Sequence, residues 1–194
     1  MNRIRRILSL NSRAEGIALG ISIVIVVVII TVPWITGAIQ RPADAFYTGL
    51  LGPYGNDQAF YLGWGARQAE NGQLLFEDKY NGVVSRRAVF NPLWLTMGWS
   101  ARITGLSVQV IYHIQRVLCS VFLMLILYAF IGRFITEPTV KICTLLTISL
   151  ASGLGVFLQQ AGVHTPDMWV VESNLFLIML WELVLPCAAA LFLL

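Results

Sequence analysis

The side chains most able to do chemistry in this chain are three carboxylates and four arginine and histidine groups, most of them close to apolar runs. Asp57 stands in a long polar, aromatic-rich loop that follows the first apolar run directly; the loop opens on Asn56-Asp57-Gln58 and closes on Phe90-Asn91-Pro92-Leu93-Trp94. A carboxylate at a bilayer surface reaches both a water-soluble substrate and a lipid-linked one, and it can take a proton from an attacking nucleophile. It can equally cap a surface helix, where exposed amides and the dipole favour negative charge, and both roles can hold together. Asp167 and Glu172 form a second acidic cluster in a later polar loop. Their Asp-x-x-x-x-Glu spacing is not a metal-ligand signature and His164 alone adds little, so no metal is expected, although oxygen ligands of this kind suit a divalent cation. Glu172 or Ser173 also reads as an N-cap for the last helix.

Arg116, with His113 about one turn before it, lies inside an apolar run, where an ionisable group usually faces a protein interior or a wet cavity. Its planar fork suits a phosphate; snorkelling to headgroups or pairing with a loop carboxylate are the alternatives. Arg86 and Arg87 form an adjacent basic pair that suits either substrate phosphate or lipid headgroups. Cys119, Cys143 and Cys187 all fall in apolar runs and read as small core residues rather than a disulfide framework.

The elements that must position these groups are membrane elements. The chain is 57% hydrophobic and 12% charged, against about 25% charged in soluble domains. Its net charge of +3 comes from residues flanking apolar runs, which gives no nucleic-acid-sized patch. Residues 16–39, 107–134, 139–161 and 174–194 are each long enough to cross hydrocarbon ~30 Å thick. The first run is too long for a signal peptide and reads as a retained signal anchor. Arg3, Arg5, Arg6 and Arg13 place residues 1–15 in the cytoplasm by the positive-inside rule, so the loop 40–106 faces outward.

Pro92–Thr104 is too short to span at ~20 Å and carries Arg102. Asn91 as N-cap, Pro92 at the first position and Gly105 past the end predict a helix, and Trp94 and Trp99 suit one lying along the interface. If it does not span, Arg133 and Lys141 fall in the cytoplasm, and the loop 162–173 lies outside with Asp57. A second interfacial helix is predicted over 57–71, ending at Gly72, with Phe60 and Trp64 one turn apart. The fold class expected is therefore all-α integral membrane, with four transmembrane helices and two juxtamembrane helices in the first external loop.

This layout resembles the N-terminal part of the C-type, polyprenyl-phosphate-sugar-dependent membrane glycosyltransferases. The likeness lies in a signal anchor, an acidic residue opening a juxtamembrane helix (Asp57-Gln58-Ala59-Phe60-Tyr61-Leu62, then Ala66-Arg67-Gln68-Ala69), and Asn91-Pro92-Leu93-Trp94 opening a second. The nearest branch is that of protein mannosyltransferases, aminoarabinose transferases and bacterial relatives; the segment Pro166-Asp167-Met168-Trp169-Val170-Val171-Glu172-Ser173 is similar too. The resemblance implies sugar transfer from a polyprenyl-phosphate donor at the outer face of a bacterial inner membrane. Asp57 and Asp167 would be catalytic, and Arg116, Arg86, Arg87 and Glu172 would bind substrate or the donor phosphate. Family members have more spans, so the chain is expected to be an N-terminal fragment that is inactive alone. The alternative is a non-catalytic membrane subunit or a transporter fragment, to which Glu182 and the Ser152-Gly153-Leu154-Gly155 stretch would belong.

Overall fold

The computed structural model describes residues 8, 10–44, 61–77, 87–151, 162 and 179. Among them the architecture is all-helical, with one isolated antiparallel bridge and no strand. Six elements follow in chain order: α1 (Arg13–Ile39), a π-helical turn (Tyr61–Ala66) running into α2 (Arg67–Glu70), α3 (Pro92–Thr104), α4 (Val108–Ile131) and α5 (Pro138–Leu150). Two compact units divide the chain, one made of residues 1–35 and 116–194, the other of Thr36–Gln115.

α1 starts three residues before the expected 16–39 run because Ser12-Arg13-Ala14-Glu15 is a capping box. The Ser12 hydroxyl accepts from the Glu15 amide at 3.1 Å, and the Glu15 carboxylate reaches back to accept from the Asn11 amide at 2.5 Å. The first contact satisfies an amide that the first turn would otherwise leave open, and the second ties down the residue just before the cap. Glu15, Leu19, Ser22, Val26, Ile30 and Trp34 form its buried stripe at three- and four-residue spacing. Ile17, Ile21, Val24 and Val28 point outward, over half exposed. A helix apolar on its outer face as well as its inner one suits a membrane span or the core of a larger assembly.

α1, of 27 residues, and α4, of 24, are both long and apolar enough to cross a membrane. Their pairing is antiparallel. Glu15 near the start of α1 meets Tyr128 near the end of α4, while Ile30 and Trp34 meet Arg116. The two contacts are about 22 Å apart along α1 and about 18 Å apart along α4 at ~1.5 Å per residue, as neighbouring antiparallel helices require.

α4 ends at Ile131 in a turn over 132–134, slightly inside the expected 107–134. α5 is shorter than the expected 139–161 run. Ala151 adopts an extended conformation (φ −66°, ψ 120°), so the helix stops at Leu150. The sequence just beyond, Ser152-Gly153-Leu154-Gly155, has low helix propensity, consistent with a stop there. The proposed span 174–194 and the loop 162–173 lie outside the described residues, Gly162 and Met179 excepted.

In the Thr36–Gln115 unit, α3 has the boundaries its sequence predicts. The Asn91 side chain accepts from the Leu93 and Trp94 amides, Pro92 occupies the first turn, and Gly105 closes the helix at φ 71°. Trp94, Leu95, Met97, Gly98 and Ala101 are buried, whereas Trp99 and Ile103 are exposed on the other side, Ile103 by 82%. Against α3 lie the π-turn and α2. A Cβ at Gly98 would collide with the Ala66 carbonyl and come within 2.5 Å of the Ala69 Cβ, so only glycine permits this approach. The expected 57–71 helix is described from Tyr61, where it is π-wound before becoming α-helical at Arg67. It ends as predicted, with Gly72 at φ 86°.

Candidate functional site

The stretch between α1 and α4 carries a built scaffold. Phe76 and Val89 form the antiparallel bridge, with the Phe76 amide donating to the Val89 carbonyl at 2.8 Å and the Val89 amide returning at 3.2 Å. Gln68 fixes the same strand-like stretch from α2: its side-chain oxygen accepts from the Glu77 amide (2.9 Å) and its nitrogen donates to the Glu77 carbonyl (3.3 Å). Phe76 also packs on Trp94 of α3, ring centroids 5.7 Å apart. Residues 77–88 therefore leave and re-enter the scaffold at one closed base. Arg87 stands at that base, exposed. Arg102, in the last turn of α3, is also exposed and folds over the Gly72 turn, where a Cβ would lie 2.6 Å from its Nη1.

Of the residues singled out in the sequence, Asp57, Arg86, Asp167 and Glu172 lie outside the described residues. Arg116 is described, and the protein groups around it are backbone carbonyls and an indole ring. Its side chain is fully buried, and Nη1 donates to the carbonyls of Met179 (2.9 Å) and Ile30 (3.3 Å). Its guanidinium carbon lies 5.2 Å from the centre of the Trp34 ring, within cation–π range. His113 is half-buried and meets Tyr112 edge-on at 5.3 Å.

A second cluster was not anticipated from the sequence. Glu15, Tyr128 and Lys141 converge in the interior: Lys141 forms an ion pair with Glu15, the Tyr128 hydroxyl donates to the same carboxylate oxygen, and Lys141 Nζ lies 5.2 Å from the Tyr128 ring centre. Lys141 is 1% exposed, buried together with its partner. Nearby, the Asn11 side chain donates to the Thr136 carbonyl at 3.2 Å. The start of α1, the end of α4 and the start of α5 therefore meet at one end of the bundle. The Ser12-x-x-Glu15 spacing is the signal that could have found Glu15; nothing local identifies its partners. Outside the spans, Glu137 caps α5, and the Val140 and Thr139 amides that it accepts hold its carboxyl below the usual carboxylate range.

A groove of about 310 Å³ runs beside this cluster, lined by Ser12, Ala18, Thr139, Ile142 and Cys143 among others. Among the described residues no three His, Cys, Asp or Glu side chains gather as metal ligands.

Among the described residues the architecture is all-helical, with two helices long and apolar enough to cross a membrane. Neither known protein families, nor curated proteins, nor solved structures contain a match to the chain.

Proposed function

We propose that this chain is the N-terminal part of a membrane glycosyltransferase that moves a sugar from a polyprenyl-phosphate donor to an acceptor at the outer face of a bacterial inner membrane. The observation that carries this reading is the antiparallel pairing of α1 and α4, anchored by Glu15–Tyr128 at one end and Arg116–Ile30 at the other. The chain leaves α1 and enters α4 at the same end, so the segment between them returns to the side it left. With the arginine-rich N-terminus cytoplasmic, that side is external. An exposed Arg102 beside exposed Trp99 and Ile103 supports an interfacial position for α3. The four-span arrangement uses α1, α4, a third segment over 139–161 that includes α5 and breaks at Ala151, and a fourth over 174–194.

In this reading Asp57 takes the proton of the acceptor nucleophile as that atom attacks the anomeric carbon. The bond from that carbon to the donor phosphate oxygen breaks with inversion, and polyprenyl phosphate leaves with the electron pair. Asp167 and Glu172 position the acceptor. Arg87, exposed at the base of the closed loop, and its neighbour Arg86 pair with the phosphate, whose charge a guanidinium fork meets bidentately. The bridge at Phe76–Val89 and the Gly98 contact give the loop the rigid support a reacting geometry requires.

The test is Asp57→Asn in the full-length enzyme, in membranes supplied with a polyprenyl-phosphate sugar. Asn caps a helix about as well as Asp but cannot take the proton. Turnover is expected to fall by at least ~10²-fold with expression unchanged. Near-normal turnover would reduce Asp57 to a cap and move the base to Asp167.

A further inference from the structure

We propose that Arg116 is a clamp on α1 at Pro33, a positioning residue that ties α1 and α4 to the backbone of Met179 instead of binding a ligand. Proline has no amide hydrogen, and its ring crowds the carbonyl four residues before it, so a proline inside a helix loosens the backbone bonds around that turn. Pro33 lies inside α1, and the carbonyls it disturbs belong to Ile29 and its neighbour Ile30. In hydrocarbon such carbonyls cannot turn to water and must find a donor within the protein.

Arg116 supplies one. Its Nη1 reaches the Ile30 carbonyl at 3.3 Å and the Met179 carbonyl at 2.9 Å, while the guanidinium lies 5.2 Å from the ring of Trp34, the residue after the proline. Two contacts from one fully buried side chain thus flank Pro33, and a third ties it to Met179. Arginine suits the task because its N–H groups point in the plane while its face stacks on an aromatic ring; a lysine ammonium has no such face. Backbone carbonyls are an established means of accommodating a charge at membrane depth. A donor phosphate would have to displace these contacts to reach the guanidinium.

This assignment does not depend on the glycosyltransferase reading. The experiment is amide hydrogen exchange on the 194-residue chain in lipid nanodiscs, comparing wild type, Arg116→Gln, Arg116→Lys and each of these with Pro33→Ala. Both single Arg116 variants are expected to speed exchange of the Trp34–Gly37 amides by at least ~10-fold, the scale of one lost charge-assisted hydrogen bond. Amides in the middle of α5 serve as the internal reference and change little. Adding Pro33→Ala, which restores an amide donor, returns most of the lost protection. Unchanged exchange at Trp34–Gly37 overturns the clamp. So does equal loss in α1 and α5 in both variants, which would make Arg116 a general packing group, and so does loss that Pro33→Ala fails to relieve. Weakened binding of a polyprenyl phosphate with α1 exchange intact would also overturn it and return Arg116 to the phosphate. The sugar-transfer reading stands or falls separately, on Asp57→Asn turnover.

Discussion

Lys141→Met breaks a buried ion pair, and the structure indicates how large the penalty is and how to relieve it. Lys141 and Glu15 are both essentially inaccessible, and the same carboxylate accepts from Tyr128 and from the Asn11 amide. Removing the ammonium leaves a carboxylate buried with only neutral donors, for which about 3–5 kcal/mol of lost stability is expected. Glu15→Gln leaves the ammonium instead and should cost a similar amount. It does so without harming the capping box, since Gln serves at that position as Glu does. The double variant Glu15→Gln/Lys141→Met buries no charge. Because a neutral replacement of a whole buried pair is often harmless, it should return to within ~1–2 kcal/mol of wild type. The coupling energy of the cycle should therefore be at least ~3 kcal/mol, far above the ~0.3–0.5 kcal/mol tolerance for independent sites. Reversible unfolding in mixed micelles, followed by helicity, measures all four proteins. Singles that each lose under ~1 kcal/mol, or a double equal to their sum, would refute the argument that the three helix ends are held by this pair.

Gly98→Ala should lower the stability of the α3 scaffold by about 1–3 kcal/mol, because the new methyl collides with the Ala66 carbonyl and the Ala69 side chain; faster tryptic cleavage at the exposed Arg87 reads this out. The Glu137 cap should be pH-dependent in one direction. Its carboxyl is held low by the Val140 and Thr139 amides, so the cap is intact above the ordinary carboxylate range and is lost as pH falls through the depressed value. Amide exchange at Thr139 and Val140, compared with Glu137→Ala at each pH, should show protection that disappears on acidification in wild type alone.

The sequence made legible what depends on local chemistry. Asn91, Pro92 and Gly105 punctuate α3 so clearly that both its ends were readable, and Gly72 marked the end of α2 through its left-handed backbone. The start of α1 was displaced by three residues because apolar periodicity begins at Gly16, while the capping box that nucleates the helix lies in the polar residues before it. The Glu15–Lys141 pair was illegible for a different reason. Both charges sit at helix ends, where flanking charges are the rule, and nothing within one helix says that two distant ends meet. Arg116 was recognised as unusual, but its partners are backbone carbonyls and an indole face, which no pattern of polar side chains can reveal. α5 is described as ending at Leu150, inside the expected 139–161 run, and the Ser152-Gly153-Leu154-Gly155 stretch read as a break lies outside the described residues.

The central claim is that the chain between α1 and α4 returns to the face it left, placing its chemistry on one side of the membrane. Single-cysteine labelling of intact cells with an impermeant reagent tests it most directly, in a chain with Cys119, Cys143 and Cys187 replaced by Ser. Leu106→Cys, just before α4, is exposed and should label from outside; Thr136→Cys, in the exposed α4–α5 turn, should label only after permeabilisation. Labelling of Thr136→Cys but not Leu106→Cys from outside would mean that Pro92–Thr104 crosses the membrane or that the N-terminus is external, and would contradict the account.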